Sequence, residues 1–451
     1  MRVLVCGVRH HQVSIEDRER FALCAESVQQ AFDVLRQDPA IAEIAIVSTC
    51  NRTELYLAAS NPADALQAVR QFFIQHRGIA EACVQRCLFT YLYEDVVFHL
   101  FRVASGLDSL IIGEGQILAQ VKDALELAQK TQVIGPVLDK LFKSALSVGK
   151  RVRTETPIAQ RDVSVSKAAY DAARQVCPDF DAAPVALIGG GKVAAILLRH
   201  LHHQANHSPS QDVALRSPVM IVNRSEARLA ELHAQYPQCE AFGWDALPEV
   251  IARAQVLFVA TGAPHYVMTP EHFAAVTADK WVFDLAVPRN VDPQCGELAQ
   301  VTLWNTDDLK ALHPQMPHDT HAAIVAAAEH IVVEEATLFG QWLRSREATA
   351  TITGLRSKIE AIRQTHLQTF QSAPPETRDT LEALSKQLVN KILHDPIARL
   401  RQAPSSEHMA QQTQVLSDLF GLQQRSVQQG KRVGSAYRPV VAVPSPPAVS
   451  M

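Results

Sequence analysis

No apolar run in the 451-residue sequence approaches the roughly 18 residues of a membrane-spanning helix, so an integral helical membrane protein is excluded. The N-terminus, MRVLVCGVRHHQ, has too short an apolar stretch for the core of a secretory leader and reads as a strand. Charge of one sign is also scarce. The formal net charge is −4, which excludes a polycation that coats nucleic acid and leaves such a partner only local basic patches. Metal-type cysteine spacing is missing: the eight cysteines, Cys6, Cys24, Cys50, Cys83, Cys87, Cys177, Cys239 and Cys295, are scattered. Cys83 and Cys87 sit four apart with no second pair of cysteines or histidines close by, and no metal is expected. Dispersed thiols in a chain of this size fit a reducing cytoplasm. There are no internal repeats.

What is present divides into three patterns, and 47% apolar residues is ample for two to four packed domains. In the first, residues 2–8, 41–48 and 53–59 read as strands and 25–37 and 62–76 as helices, followed by nearly continuous helical spacing from Glu94 to about Arg174. In the second, 185–201 reads as strand, glycine turn and helix, and strands at 218–225, 255–264 and 281–289, the last two ending in polar turns, alternate with helices, which implies a parallel, doubly wound sheet. In the third, about 50 residues from His318 run almost without a breaker, a helix of about 75 Å at ~1.5 Å per residue. Such a helix links parts of a molecule or pairs with another chain. Residues 379–401 add an amphipathic segment in which Leu381, Leu384, Leu388, Ile392 and Leu393 are expected to share a face. Beyond Gly421 the sequence turns polar and proline-rich, and disorder is expected.

GGGKVA, residues 189–194, follows a strand and opens a helix, the context in which a glycine run becomes a nucleotide signal. Gly189 would allow the tight turn, Gly190 and Gly191 the close approach of a pyrophosphate to the helix N-terminus at Lys192 and Val193, and Ala194 is small enough for helix–strand packing. A plain glycine-rich turn is the bland alternative. The next strand decides between cofactors. It ends in Asn223, Arg224 and Ser225, where an NAD site carries an acid; a guanidinium and a hydroxyl suit a 2′-phosphate, which favours NADP(H). The stretch 202–217 reads as a loop insertion, and its histidines lack acidic or cysteine partners nearby.

STCNRTE, residues 48–54, places Cys50 in a tight polar turn with Arg52 two residues on. Either Cys50 is a small turn residue, or it is a nucleophile whose thiolate Arg52 favours, with Ser48, Thr49, Asn51 and Thr53 as donors for an oxyanion. Together with a nicotinamide site this suggests acyl capture as a thioester, then reduction to an aldehyde. Polar residues interrupt the helices at 99–122, among them His99, Ser105, Asp108, Ser109, Glu114, Gln116, Gln120 and Lys122, either as caps or as a pocket wall. Lys143, Lys150, Arg151 and Arg153 form a basic run, either a solvated face or a contact for phosphates.

These strings together, STCNRTELY, RVASGLDSLIIGEGQILAQVK, GKRVRTET, GGGKVA, VNRS and DLAVPRNVDP in that order, resemble the glutamyl-tRNA reductase family over residues 1 to about 422. The resemblance implies reduction of glutamyl-tRNA to glutamate-1-semialdehyde with NADPH and no ATP, the first step of the five-carbon route to 5-aminolevulinate and porphyrins. Cys50 falls on the family's nucleophile and His99 on a histidine that aids it. Thr49, Asn51, Arg52, Ser109, Glu114, Gly115, Gln116 and Gln120 fall on positions holding the glutamyl moiety, and Gly189 to Ala194 on the NADPH loop. Arg52 would meet the substrate's free carboxylate and Glu114 or Asp108 its ammonium. The implied architecture is multidomain α/β and α: an α+β catalytic domain (1–160), a Rossmann-type NADP domain (161–312), a spinal helix with a helical dimerisation domain (313–422) and a disordered tail (423–451). It implies a V-shaped cytoplasmic homodimer that meets tRNA and, transiently, glutamate-1-semialdehyde aminotransferase. Two departures stand out: Gly115 replaces a common proline, and HHQVSIEDRER lacks the usual TAPV after its histidine. The rival readings are a reductase of acyl-CoA or acyl phosphate, and a nucleotide-binding scaffold with an inert Cys50.

Overall fold

The computed structural model describes residues 2–160, 164–203, 219–309, 318–372, 374–402 and 404–422. The chain divides into two compact units, Met1–Ser345 and Arg346–Met451.

The first unit opens with an antiparallel sheet of β1 (Arg2–Arg9), β2 (Ile41–Ser48), β3 (Arg52–Ala59) and β4 (Phe89–Leu92), ordered β2-β3-β1-β4. Every residue of β3 is buried, because β1 and β2 pair along both its edges and packed helices cover the sheet. Helices Glu94–Ala104 and Pro136–Glu155 supply much of that cover; Phe142 meets the Tyr56 ring edge-on with centroids 5.3 Å apart. Buried Glu43 on β2 accepts the N–H groups of Val137 and Leu138, satisfying donors at the positive end of the second of these helices.

The same unit continues into six parallel strands: β5 (Val185–Ile188), β6 (Val219–Val222), β7 (Glu240–Phe242), β8 (Val256–Val259), β9 (Lys280–Asp284) and β10 (Val301–Asn305). Their order is β10-β9-β8-β5-β6-β7. The chain winds outward from β5 in both directions, so the order reverses between β5 and β8, and a crevice opens at the C-terminal ends of those strands. This is the doubly wound sheet that the alternation predicts. The sequence reading does not include β4, β7 or β10. All three are short strands at sheet edges, with one neighbour each and little need of a long apolar run.

The long helix, His318–Gln368, has 51 residues, in line with the 50 expected. Its Ala328, Ile331, Val332, Phe339 and Leu343 join the core of the first unit. In the second unit Ile352 and Leu355 pack with Leu393, Ile397, Leu400 and Met409 of helices Pro375–Arg401 and Ser406–Leu419. The expected single apolar face on 379–401 is in fact two. Leu393 is buried with Ile397 and Leu400, whereas Leu384, Leu388 and Ile392 are 52%, 53% and 65% exposed. Residue 393 is five positions beyond 388, about 140° further round the helix. The 202–217 insertion falls largely outside the described residues, except that His202 and His203 complete helix Lys192–His203, with His202 Nε2 3.1 Å from Cys239 Sγ. The 423–451 tail lies wholly outside them. No described helix is long and apolar enough to cross a membrane.

Candidate active site

β2 and β3 are joined by Thr49, Cys50 and Asn51, a turn closed by Thr49 N–H donating to Arg52 O at 2.8 Å and by Asn51 N–H donating to Thr49 Oγ1 at 3.2 Å. His10, at the end of β1, donates its backbone N–H to Asn51 O at 3.0 Å and so lies against the turn. Cys50 at the tip is half-buried, not sealed in the core. Loss of solvent on burial pushes its thiol up to about 12, the Glu114 carboxylate adds to the effect, and Arg18 and Arg52 only partly oppose it. The expected help from Arg52 is therefore real in sign but outweighed by burial, and the resting thiol is protonated.

The alternation of β3 puts Arg52, Glu54 and Tyr56 on one face. Arg52 Nη1 donates to Glu54 Oε1 and Asp108 Oδ2, each at 2.9 Å, and Nη2 donates to the Asp108 carbonyl. Tyr56 donates its hydroxyl to Glu54 Oε2 at 2.6 Å. Burial opposes the Glu54 charge, but His99 and Arg52 outweigh it and hold that carboxyl down at about 2. With Glu54 ionised, His99 Nε2–H donates to Oε1 at 3.0 Å, and its ring lies between Phe89 and Tyr91. Asp108 also faces Arg9 at 3.8 Å and His11 at 3.7 Å. Glu54, His99 and Asp108 converge as metal ligands would, but the cation they already surround is the Arg52 guanidinium.

The Arg52–Asp108 bonds tie the turn to the segment between helices Glu94–Ala104 and Gln116–Lys130. That segment is pinched by Gly113 N–H donating to Gly106 O at 3.0 Å. Gly113 has φ +91°, and a Cβ there would meet Ile158 O at 2.7 Å, so only glycine fits. Ser109 and Glu114 are buried in this loop, and Gln116 and Gln120 follow one turn apart on the same helix face. Burial pushes the Glu114 carboxyl up to about 7 against the pull of Arg52, and no cation pairs with it among the described residues. Gly115 has φ −75°, which a proline would accept, but a Cβ would lie 3.2 Å from the Arg153 guanidinium. Several buried polar atoms along the turn and loop have no partner among the described residues: both ring nitrogens of His10, Asn51 Oδ1, Arg52 Nε, Ser105 Oγ and Gln116 Nε2.

At the crevice of the parallel sheet, Gly189 has φ +112° and its missing Cβ would lie 2.4 Å from Ala260 O. A Cβ on Gly191 would meet nothing within 4 Å, leaving open space at the start of helix Lys192–His203. Gly190 O accepts from Arg228 Nε at 2.8 Å, Val193 O accepts from Ser166, and Ala194 is buried in the core. Lys192 reaches Asp123 of the preceding domain at 3.0 Å. Asn223 donates to Ser225 O, and Ser225 caps the next helix. Arg224 is exposed above the Trp244 ring at 5.4 Å, with no carboxylate on it among the described residues. These residues fit a nicotinamide-type nucleotide: glycine stands where backbone must approach a phosphate at the start of a helix.

Comparison with known proteins places this arrangement. The family model "Glutamyl-tRNAGlu reductase, N-terminal domain" matches residues 6–156, "Shikimate / quinate 5-dehydrogenase" matches 171–312, and "Glutamyl-tRNAGlu reductase, dimerisation domain" matches 327–422. Glutamyl-tRNA reductase of Crocosphaera subtropica is 36% identical over 433 residues, covering 94% of this chain and 98% of that protein. The chain belongs to the glutamyl-tRNA reductase family. The Trichormus variabilis reductase is 37% identical over the same length and coverage. The glutamyl-tRNA reductase structure from Methanopyrus kandleri has the same fold, with a TM-score of 0.51 at 22% identity over 93% of this chain and 99% of that one. The protein is thus an oxidoreductase with a nicotinamide-type nucleotide domain and a family dimerisation domain.

The structure brings Thr49, Cys50, Asn51, Arg52, Ser109 and Glu114 to one turn and loop, with Gln116 and Gln120 on the helix that the loop enters. His99 reaches them through Glu54. Three groups escaped the sequence reading. Glu54 sits inside STCNRTE and is betrayed only by an acid in a strand with no exposed face. His10 opens the HHQVSIEDRER stretch that lacks the usual TAPV. The helix Ile15–Phe21 in that stretch is a domain joint: Arg18 donates to both oxygens of Asp307, and Arg289 donates to Glu16 and Glu19.

Proposed function

We propose that this protein reduces glutamyl-tRNA to glutamate-1-semialdehyde with NADPH, through a glutamyl thioester on Cys50. The observation that carries the reading is the set of unpartnered buried polar atoms around the Cys50 turn. Such atoms are nearly always paired in a finished site, so this set is matched to a polar ligand that enters.

The aminoacyl ester is activated, and the sulfur attacks its carbonyl carbon while the tRNA ribose oxygen leaves. A thiol held near 12 needs an acceptor for its proton. We assign this to His10, which lies against the turn with both ring nitrogens unpartnered among the described residues; burial, His11 and Arg52 depress it to about 2 at rest, so it takes the thiol proton only once the bound substrate raises its basicity, and then hands that proton to the departing ribose oxygen. A substrate carboxylate entering near Arg52 adds the negative charge that raises its basicity. Arg52 is already held by Glu54 and Asp108, so the substrate carboxylate binds by exchange, Asp108 moving onto Arg9 and His11. Glu114, with no cation paired to it among the described residues, takes the ammonium. His99 and Glu54 are positioning residues that fix the guanidinium. When bound, NADPH supplies hydride to the thioester carbonyl; Gly189 to Ala194 would hold its pyrophosphate, and Asn223, Arg224 and Ser225 its 2′-phosphate end. Arg224→Ala should raise the KM for NADPH at least tenfold and leave that for NADH unchanged, read from initial rates.

We divide the chain by role into 1–160, 161–312, 313–422 and 423–451, with the exposed Leu384–Leu388–Ile392 face as part of the homodimer contact. A cytosolic setting agrees with eight free thiols, and a reactive aldehyde product favours direct transfer to the aminotransferase that consumes it.

The test is to mix enzyme with glutamate-labelled tRNA in the absence of NADPH. Label should be found on Cys50, be released as semialdehyde on adding NADPH, and be absent in Cys50→Ser. Acyl-CoA, acyl phosphate and free glutamate should give none. Label on another residue, or full turnover by Cys50→Ser, overturns the reading.

A further inference from the structure

Away from the catalytic turn, a second group of ligating side chains converges. Cys83 and Cys87 lie four apart on helix Glu81–Cys87, and their sulfurs are 3.7 Å apart. Asp17, on helix Ile15–Phe21, places Oδ1 3.6 Å from Cys83 Sγ and Oδ2 3.6 Å from Cys87 Sγ. Both cysteines are buried and Asp17 is half-buried. All three ligand atoms fall within 4.8 Å of one another.

These separations have a chemical meaning. Around a tetrahedral zinc, with Zn–S near ~2.3 Å and Zn–O near ~2.1 Å, the sulfur–sulfur edge is about 3.8 Å and the sulfur–oxygen edge about 3.6 Å. The sulfur–sulfur edge already has the zinc length, and each sulfur stands at the sulfur–oxygen length from a different carboxylate oxygen, so a turn of the carboxylate has to bring one oxygen to both sulfurs. Two thiolates and one carboxylate carry three negative charges, so a divalent ion leaves one. Arg86, which donates to Asp17 Oδ2 at 2.8 Å, and Arg20, 3.8 Å from Asp17, stand ready to balance it. The Arg86 side chain is 66% exposed, so swinging off the carboxylate costs little. Two sulfurs in a three-atom set select a zinc-class ion over calcium or magnesium, which require oxygen.

We propose that Asp17, Cys83 and Cys87 bind a zinc-class divalent cation, with water in the fourth position. Binding forms two metal–sulfur bonds and one metal–oxygen bond and releases two thiol protons to solvent; no electrons move. The ion fastens helix Ile15–Phe21 to helix Glu81–Cys87. Because Glu16, Arg18 and Glu19 on that first helix hold Arg289 and Asp307, the ion stiffens the joint between the catalytic and nucleotide domains.

The test is a Co2+ titration of the chelator-stripped full-length protein, followed by Zn2+. One Co2+ per chain should bind, with thiolate charge-transfer and tetrahedral ligand-field absorption, release of two protons, and displacement by Zn2+. Cys83→Ala and Cys87→Ala should abolish the spectrum, Asp17→Asn should weaken binding at least tenfold, and Cys50→Ala and Cys24→Ala should leave it unchanged. Circular dichroism reports whether the cysteine variants fold; if they do not, Asp17→Asn, at the edge of the site, decides. No charge-transfer band at one equivalent overturns the proposal. So does a band that persists in Cys87→Ala and vanishes in Cys50→Ala, which would put the ion on the catalytic sulfur.

Discussion

The charge on Glu114 changes near neutrality. Burial lifts its carboxyl to about 7, so the folded protein holds a proton there that the unfolded chain, near 4.5, has lost. Stability from this group is full below pH 4.5 and declines as pH rises to 7, by up to about 3 kcal/mol. Asp284, also lifted to about 7 by burial despite accepting N–H bonds from Ala286, Asn290 and Val291, acts in the same direction. Glu54, depressed to about 2 by His99 and Arg52 against burial, acts oppositely, and its share is lost between pH 4.5 and 2. Glu114→Gln should flatten the decline between pH 4.5 and 7 in denaturant unfolding. If Glu114 holds the substrate ammonium, only its ionised form serves, so wild-type thioester formation should climb with pH through about 7. The variant should lose that limb in single-turnover assays. The carboxylate loses its burial penalty when an ammonium arrives, which is why a costly buried acid is useful there.

The turns and loops carry the same logic at the level of elements. Gly189→Ala puts a methyl 2.4 Å from Ala260 O at a φ of +112°, so the strand–helix turn has to open. We expect a loss of about 1–3 kcal/mol in stability and at least tenfold weaker NADPH binding, measured by thermal unfolding and nucleotide fluorescence. Helix Ile15–Phe21 acts as a bracket. Its apolar Ile15 and Phe21 are buried, while Glu16, Arg18 and Glu19 grip the nucleotide domain. Arg289→Ala should leave thioester formation within twofold and slow reduction of the preformed thioester at least tenfold, because only the second step needs the two domains in register.

For the whole molecule, the second unit keeps apolar surface for a partner. Leu384, Leu388 and Ile392 line one face of helix Pro375–Arg401, opposite the buried Leu393 and Ile397. A monomer that leaves three large aliphatic residues exposed at i, i+4 and i+8 presents an interface. Residues 327–422 match the family dimerisation domain. Leu388→Asp should convert a dimer to a monomer in analytical ultracentrifugation and leave nucleotide binding, which belongs to the first unit, within twofold.

Local signals sufficed for much of this. Alternation of strand and helix implied the doubly wound sheet, and the absence of breakers the long helix, because each depends on residues close in sequence. Cys50 was legible as a polar interruption between two strands. Folding alone decided what burial does to that sulfur, since the pKa of a thiol depends on neighbours such as Glu114, 64 positions away, which no spacing rule connects. It also decided that Arg52 is clasped by Glu54 and Asp108, that the stretch after His10 joins two domains, and that Cys83 and Cys87 meet the Asp17 carboxylate. Each of these joins residues far apart in the chain through charge or hydrogen bonds, and such pairings exist only once tertiary packing has brought the elements together.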